Sequence, residues 1–187
     1  MKDMERSLSR TEWREAATGG LYAGLAYALL TIAAHAGRSM PGLVTILNAV
    51  SFFSFAGFLY FYARRMAAYA GGDGFSYGRS LLFVLKMSLF AGDLAGVGQF
   101  VLVNWIDPEG FREQFDLMVA NMAGGGMGEK EAEMAGSLGL KLMRNPLFAV
   151  FSGIFSMLIY GGLLGLLISI FVVRRPADPF GGGTSAE

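Results

Sequence analysis

The sequence contains no cysteine and only one histidine, His35. The absence of cysteine excludes disulfides, thiol catalysis and cysteine-ligated metals. With one histidine, a zinc site would need carboxylates for its remaining ligands, and such sites are rare. The 15 basic residues balance the 15 acidic ones, and no run of Lys or Arg is long enough to follow a phosphate backbone, so we expect neither a metal nor a nucleic-acid partner.

Charge is scarce and apolar residues are abundant: 16% of the residues are charged, 53% are hydrophobic, and the mean hydropathy is +0.46. A helix needs about 20 apolar residues to cross a bilayer, and four stretches satisfy this, at residues 17–36, 43–62, 80–105 and 147–173. All five prolines lie outside them, where a missing N–H does least harm. The sequence therefore predicts an all-α integral membrane four-helix bundle in a single domain, with the lipid bilayer as its surroundings.

A more polar segment, residues 106–145, separates the third and fourth spans. Asp107 is suited to cap a helix that begins at Pro108, and the glycines at 124–126 would end that helix. A second helix is predicted from Met127 to Arg144. The two would form an extramembrane hairpin whose apolar faces either meet each other or lie on the membrane surface. The tail, residues 176–187, is polar and rich in Gly and Pro, so we expect disorder there.

Lys and Arg residues collect on one side of the predicted spans, and such loops stay cytoplasmic. Nine of these Lys and Arg residues lie in the N-terminal arm, between spans two and three, or after span four. Five lie on the opposite side, and four of the five are in the 106–145 segment, which also contains seven acidic residues. We therefore expect both termini in the cytoplasm and the hairpin outside. A signal peptide cleaved after the small residues at 34–36 is the alternative. The leader's four acidic residues, and a capping box at residues 9–12, favour a retained first span instead.

Enzyme motifs are missing or out of context. The letters GFSYG at 74–78 match a nucleophile elbow, but that motif needs a strand-to-helix turn with a histidine after it in the chain. The phosphate-binding loop, the dinucleotide fingerprint and HExxH do not occur. We expect no catalytic residues, no cofactor and no enzyme activity.

Glycine pairs spaced four apart occur in three of the four spans. Such pairs open a flat strip on which another helix backbone can approach closely. The strips would serve either packing within the bundle or contact with a second copy. The residues concerned are Gly20 with Gly24, Gly92 with Gly96, and Gly161 with Gly165.

The third span carries charged residues that lipid disfavours. Lys86 is near enough to the cytoplasmic end for its stem to lift the ammonium to the headgroups, whereas Asp93 lies about 18 to 20 Å from both ends. Lys86, Asp93 and, more loosely, Gln99 can share one helix face. They define a hypothetical intramembrane polar site. Asp93 would either hydrogen-bond to a neighbouring span, at Thr31, Asn48 or Ser51, or serve protons, ions or a small solute.

The order of these features resembles the DUF 4199 family. The resemblance rests on GFSYGRSLLFVLK before the third span, MGEKEAEMAGSLGLKLMRNP at the end of the outer loop, and a glycine-bearing last span followed by two arginines. It covers about residues 20–175 and implies a multi-pass protein of the bacterial inner membrane. Since the family is one of unknown function, the resemblance carries over no site residues.

These observations favour a non-enzymatic scaffold, assembly or regulatory partner in the membrane, bound to its own copies or to another membrane protein. The rival hypothesis is a small oligomeric transporter or ion-conducting unit that uses Asp93. An intramembrane hydrolase comes third, because a nucleophile and base are not identifiable.

Overall fold

The computed structural model describes residues 2–70 and 74–173. These residues form six α-helices and no β-strand, which confirms the predicted all-α bundle with a hairpin between its third and fourth long helices. The helices are α1 (Lys2–Ala36), α2 (Pro41–Tyr69), α3 (Tyr77–Val101), α4 (Pro108–Gly124), α5 (Glu129–Met143) and α6 (Pro146–Val172). The predicted disorder at residues 176–187 concerns a segment outside the described residues.

Four helices are long and apolar enough to cross a membrane: Leu8–Ala36, Pro41–Tyr69, Tyr77–Ile106 and Pro146–Val172. Most of their ends lie beyond the predicted limits, because the helices continue through polar residues that a hydropathy pattern leaves out. Local sequence sets several of these ends. Pro41 and Pro146 occupy first-turn positions, where proline costs no hydrogen bond, and Ser76 caps α3 by accepting from the N–H of Arg79.

α3 is the central helix of the bundle and packs between α1 and α6, while α2 packs mainly on α1. A tightly packed core occupies the end of the bundle where α2 finishes and α3 begins. Its largest fully buried members include Leu59, Met66, Phe75, Phe83 and Met87. The opposite half of the bundle is packed less closely and contains two cavities whose mostly apolar linings include some polar side chains.

The glycine strips lie at contacts between helices of this chain. A Cβ on Gly24 would lie 2.6 Å from the carbonyl oxygen of Ala91, and one on Gly96 would lie 2.6 Å from that of Ala149. Gly20, Gly92, Gly161 and Gly165 are likewise in close contact with a neighbouring helix. Gly153 of α6 lies against Gly96, although Gly153 itself belongs to no GxxxG pair. The strips therefore serve packing of α1 and α6 on α3.

The hairpin confirms the predicted helix start at Pro108, since Asp107 accepts the N–H of Gly110 at 3.0 Å. Its second helix begins at Glu129, two residues later than expected. α4 meets α5 through Phe115 and Val119, which touch glycines of α5 at positions 136 and 139. The apolar stripe of α5 at residues 134, 138 and 142 is exposed, so of the two arrangements expected for the hairpin, the stripe does not adopt the one in which it faces α4.

Candidate functional site

Asp93 lies on the side of α3 that faces away from the other spans. The residues one turn before and after it, Leu89 and Val97, are 38% and 45% exposed. The α3 residues that contact α1 and α6, such as Ala91 and Gly96, lie on other faces of the helix. We call this side, defined by the exposed Leu82, Leu89 and Val97 and the partly exposed Asp93, the outward face of α3.

The carboxylate of Asp93 forms no hydrogen bond or ion pair with any residue that the structure describes. It lies about 24 Å along the helix from Tyr77 and about 20 Å from Ile106, too deep for its short side chain to reach a headgroup. Asn48, Ser51 and Thr31, the hypothetical partners, line a cavity that Asp93 does not line. An unpaired carboxyl group at this depth is costly, so its presence on a lipid-facing surface calls for an explanation.

Lys86 has a partner on another helix. Its ammonium donates to Glu12 of α1 at 2.5 Å and lies 4.8 Å from the centre of the Trp13 ring, a distance at which a cation is attracted to the ring face. The sequence predicts that this ammonium reaches the headgroups, with Glu12 in the arm outside the span. The long α1 instead carries Glu12 into the bundle, where it is 8% exposed.

Glu12 belongs to a charged network that joins three helices. It also accepts from Arg79 of α3 at 3.4 Å, and Glu15, one turn further along α1, pairs with Arg65 of α2 at 3.4 Å. Both glutamates are buried, and buried carboxylates are tolerated when cations compensate them. The network therefore holds the ends of α1, α2 and α3 in one arrangement.

Gln99, the third residue of the hypothetical site, lies elsewhere. It lines a cavity of 190 Å³ between α1, α3 and α6 together with Tyr27, Ser152 and Ser156, which we call the Gln99 cavity. Met143, the last residue of α5, also lines it. A second cavity of 170 Å³, the Ser51 cavity, lies between α1, α2 and α6 and shares Tyr27 and Met157 with the first. Lys86, Asp93 and Gln99 thus occupy three separate environments.

A polar cluster joins the bundle to the hairpin at the opposite end from the charged network. Asp107 pairs with His35 at 2.7 Å and with Arg38, and the His35 ring stacks on Phe111 with centres 5.3 Å apart. The hydrogen bond from His35 is the main cause that lowers the pKa of Asp107, and the Gly110 N–H and Arg38 act in the same direction. The hydrogen bond between His35 and Asp107 joins residues 72 positions apart, so local sequence does not predict it.

The buried charged side chains at one end of the bundle have partners on neighbouring helices, whereas Asp93 has none among the described residues. Across the described parts of the chain, no three carboxylate or imidazole groups gather as metal ligands would. Polar side chains without an internal partner among the described residues include Ser51 in the second cavity, Asp93 on the outward face, and Ser80 and Ser169, which are fully buried between helices. The geometry offers binding surfaces inside the bilayer.

The fold and these features define a helical-bundle membrane protein with four helices long enough to span a bilayer. The family model described as a protein of unknown function, DUF4199, matches residues 18–174. The chain belongs to this family, which confirms the resemblance. No curated protein and no solved structure gave a match.

Proposed function

We propose that the protein is a non-enzymatic scaffold that binds another membrane protein through the outward face of α3. In this proposal the protein resides in the inner membrane, with both termini in the cytoplasm and the hairpin on the other side. The observation that carries it is Asp93, a carboxyl group at mid-bilayer depth, on a lipid-facing surface, with no partner among the described residues.

The energetics support a partner at this face. Aspartate at the centre of a membrane helix costs roughly 2.5 to 3.5 kcal/mol. A neighbouring helix offsets part of that cost by about 0.6 kcal/mol on average, and up to about 1.7 kcal/mol, through a hydrogen bond across the contact. Such a helix also shields the carboxyl group from lipid.

The chemistry of Asp93 indicates the partner. A transmembrane helix with Arg, Lys or Asn at the same depth would supply the donor that Asp93 lacks. A second copy, related by a twofold axis along the membrane normal, would place two Asp93 carboxylates together, and they repel each other unless they share a proton. A different protein therefore fits this face better than a second copy.

Purification from native membranes in mild detergent tests the proposal. We expect a partner at fixed stoichiometry with the wild type, its loss with Asp93→Leu, and its retention with Asp116→Leu, which makes the same chemical change on the exposed surface of α4. A wild type that emerges alone, or a partner that both variants retain equally, would contradict the proposal. A co-purified partner with the mass of this chain would mean that the outward face binds a second copy and not a different protein.

The orientation has its own test. Reporter fusions at Gly125 and at Glu187 should report opposite sides of the membrane, with Glu187 in the cytoplasm. Agreement between the two reporters would rule out the proposed topology.

A small oligomeric transporter is the second candidate function, and the Gln99 and Ser51 cavities favour it because polar groups inside a membrane bundle often mark solute paths. Asp93 lines neither cavity, so it would join a path only where copies of the chain meet. In liposomes, Asp93→Asn should then abolish solute flux while the protein stays folded, and unchanged flux would remove this role of Asp93.

A further inference from the structure

The Ser51 cavity differs from a packing defect in the chemistry of its walls. Four aromatic rings line it, those of Tyr27, Phe52, Phe55 and Tyr160. Tyr27 and Phe55 meet edge to face, with ring centres 6.3 Å apart. A cavity lined only by groups such as Leu, Ile and Phe stays dry and binds apolar rings, whereas this lining adds hydroxyl and amide groups to the ring faces.

Three further side chains of the lining carry groups that can donate hydrogen bonds: Thr31, Asn48 and Ser51. Ser51 is only 5% exposed, and its Oγ has no hydrogen-bond partner among the described residues. A buried hydroxyl without a partner is destabilising by about 1 to 3 kcal/mol, so this group is suited to bind a molecule that enters the cavity.

The position of the cavity restricts what can enter. Ser51 lies about 15 Å along α2 from Pro41, well inside the bilayer. Asn48 and Phe52 of α2 and Tyr160 of α6 are exposed, so the cavity opens sideways toward lipid between these two helices. A ligand would therefore arrive through the membrane and must be lipid-soluble.

Size and charge restrict the ligand further. A cavity of about 150 Å³ holds one benzene molecule, so 170 Å³ is room for one six-membered ring with small substituents. No Lys, Arg, Asp or Glu lies in the lining, which disfavours an ionic ligand. We propose that the Ser51 cavity binds the neutral ring of a quinone, whose carbonyl oxygens accept from Ser51 and Asn48 while its faces contact the aromatic walls.

The test uses the full chain in lipid nanodiscs and an azido-benzoquinone with a short alkyl tail as a photoreactive probe. Mass spectrometry should locate saturable labelling on the cavity walls of α1, α2 and α6. The same benzoquinone without the azide should compete, and an alkyl alcohol of equal chain length should not. Ser51→Ala should weaken the competitor by about 2- to 12-fold, the loss expected for one hydrogen bond.

Ser54→Ala is the matched control, because Ser54 lies on the same helix and is only partly exposed but does not line the cavity; its competition curve should match the wild type. If Ser51→Ala fails to fold, Asn48→Leu repeats the test at an exposed position. Any one of four results would overturn the proposal: labelling that does not saturate, labelling spread along the exposed side of α6, equal competition by the alcohol, or identical competition curves for the Ser51 and Ser54 variants.

Discussion

Asp93→Leu separates two roles of the carboxyl group, since one depends on contacts inside the bundle and the other on a partner. If Asp93 held the bundle together through a hydrogen bond to another span, its loss would cost about 0.6 to 1.7 kcal/mol of bundle stability. The structure places Asp93 on the outward face without such a contact, so we expect a change within about 0.5 kcal/mol.

The same substitution should favour membrane insertion. Aspartate at mid-span costs roughly 2.5 to 3.5 kcal/mol, while leucine contributes about −0.3 to −0.6 kcal/mol. The apparent insertion free energy of the third span should therefore become more favourable by about 3 to 4 kcal/mol.

Two assays check these values: reversible unfolding of the full chain in bicelles for bundle stability, and a glycosylation reporter for insertion of the third span. Gly96→Leu is the control for the first assay, because its side chain would run into the backbone of α6 and should destabilise by at least about 1 to 3 kcal/mol. A loss of 1 kcal/mol or more with Asp93→Leu would refute the assignment of Asp93 to the outward face.

Three further predictions concern the contacts that hold the bundle. Glu12→Gln should lower the free energy of unfolding by about 1 to 3 kcal/mol. The double variant Glu12→Gln with Lys86→Met should lose less stability than the two single variants added together; strict additivity in bicelle unfolding would mean that the two residues do not interact. Gly153→Ala should destabilise by about 1 to 3 kcal/mol, because its Cβ would lie 2.5 Å from the Cα of Gly96. Gly57→Ala lies inside α2 with open space around it and should stabilise by about 0.5 to 1 kcal/mol; equal effects of the two variants would contradict the packing. The pKa of Asp107 is lowered below its ordinary value of 3.8, so its stabilisation of the hairpin is complete above pH 3.8 and is lost as the pH falls through the lowered pKa. Hydrogen exchange of α4 should show this loss in the wild type but not in Asp107→Asn. A transition shared by both proteins would exclude Asp107 as its cause.

The architecture could be predicted from the sequence because hydrocarbon length is a strong local signal. Four apolar runs and prolines outside them determine the number of spans, and the Asp107 cap with Pro108 fixes where the hairpin begins. Helix ends were less accurate because charged residues such as Glu12 continue a helix once another helix supplies their partners.

The site could be predicted only in part, since each polar residue depends on contacts distant in sequence. The depth of Asp93 follows from counting residues, but which way it faces depends on how α1 and α6 pack on α3. Gln99 is six residues from Asp93 and therefore lies about 120° away around the helix, on the side that lines the Gln99 cavity. The exposed Leu138 on α5 shows the same limit: periodicity identified the apolar stripe, but small residues such as Gly136, on the other side of the helix, determined the face that meets α4.

The central claim is that the outward face of α3 contacts a protein in the membrane, and site-specific photocrosslinking in cells tests it most directly. A photoreactive amino acid at Val97 should give a discrete crosslinked product, and that product should disappear when Asp93→Leu is added. The same amino acid at Leu163, on the exposed side of α6, should give none. Equal products from both positions, or a Val97 product that survives Asp93→Leu, would contradict the account.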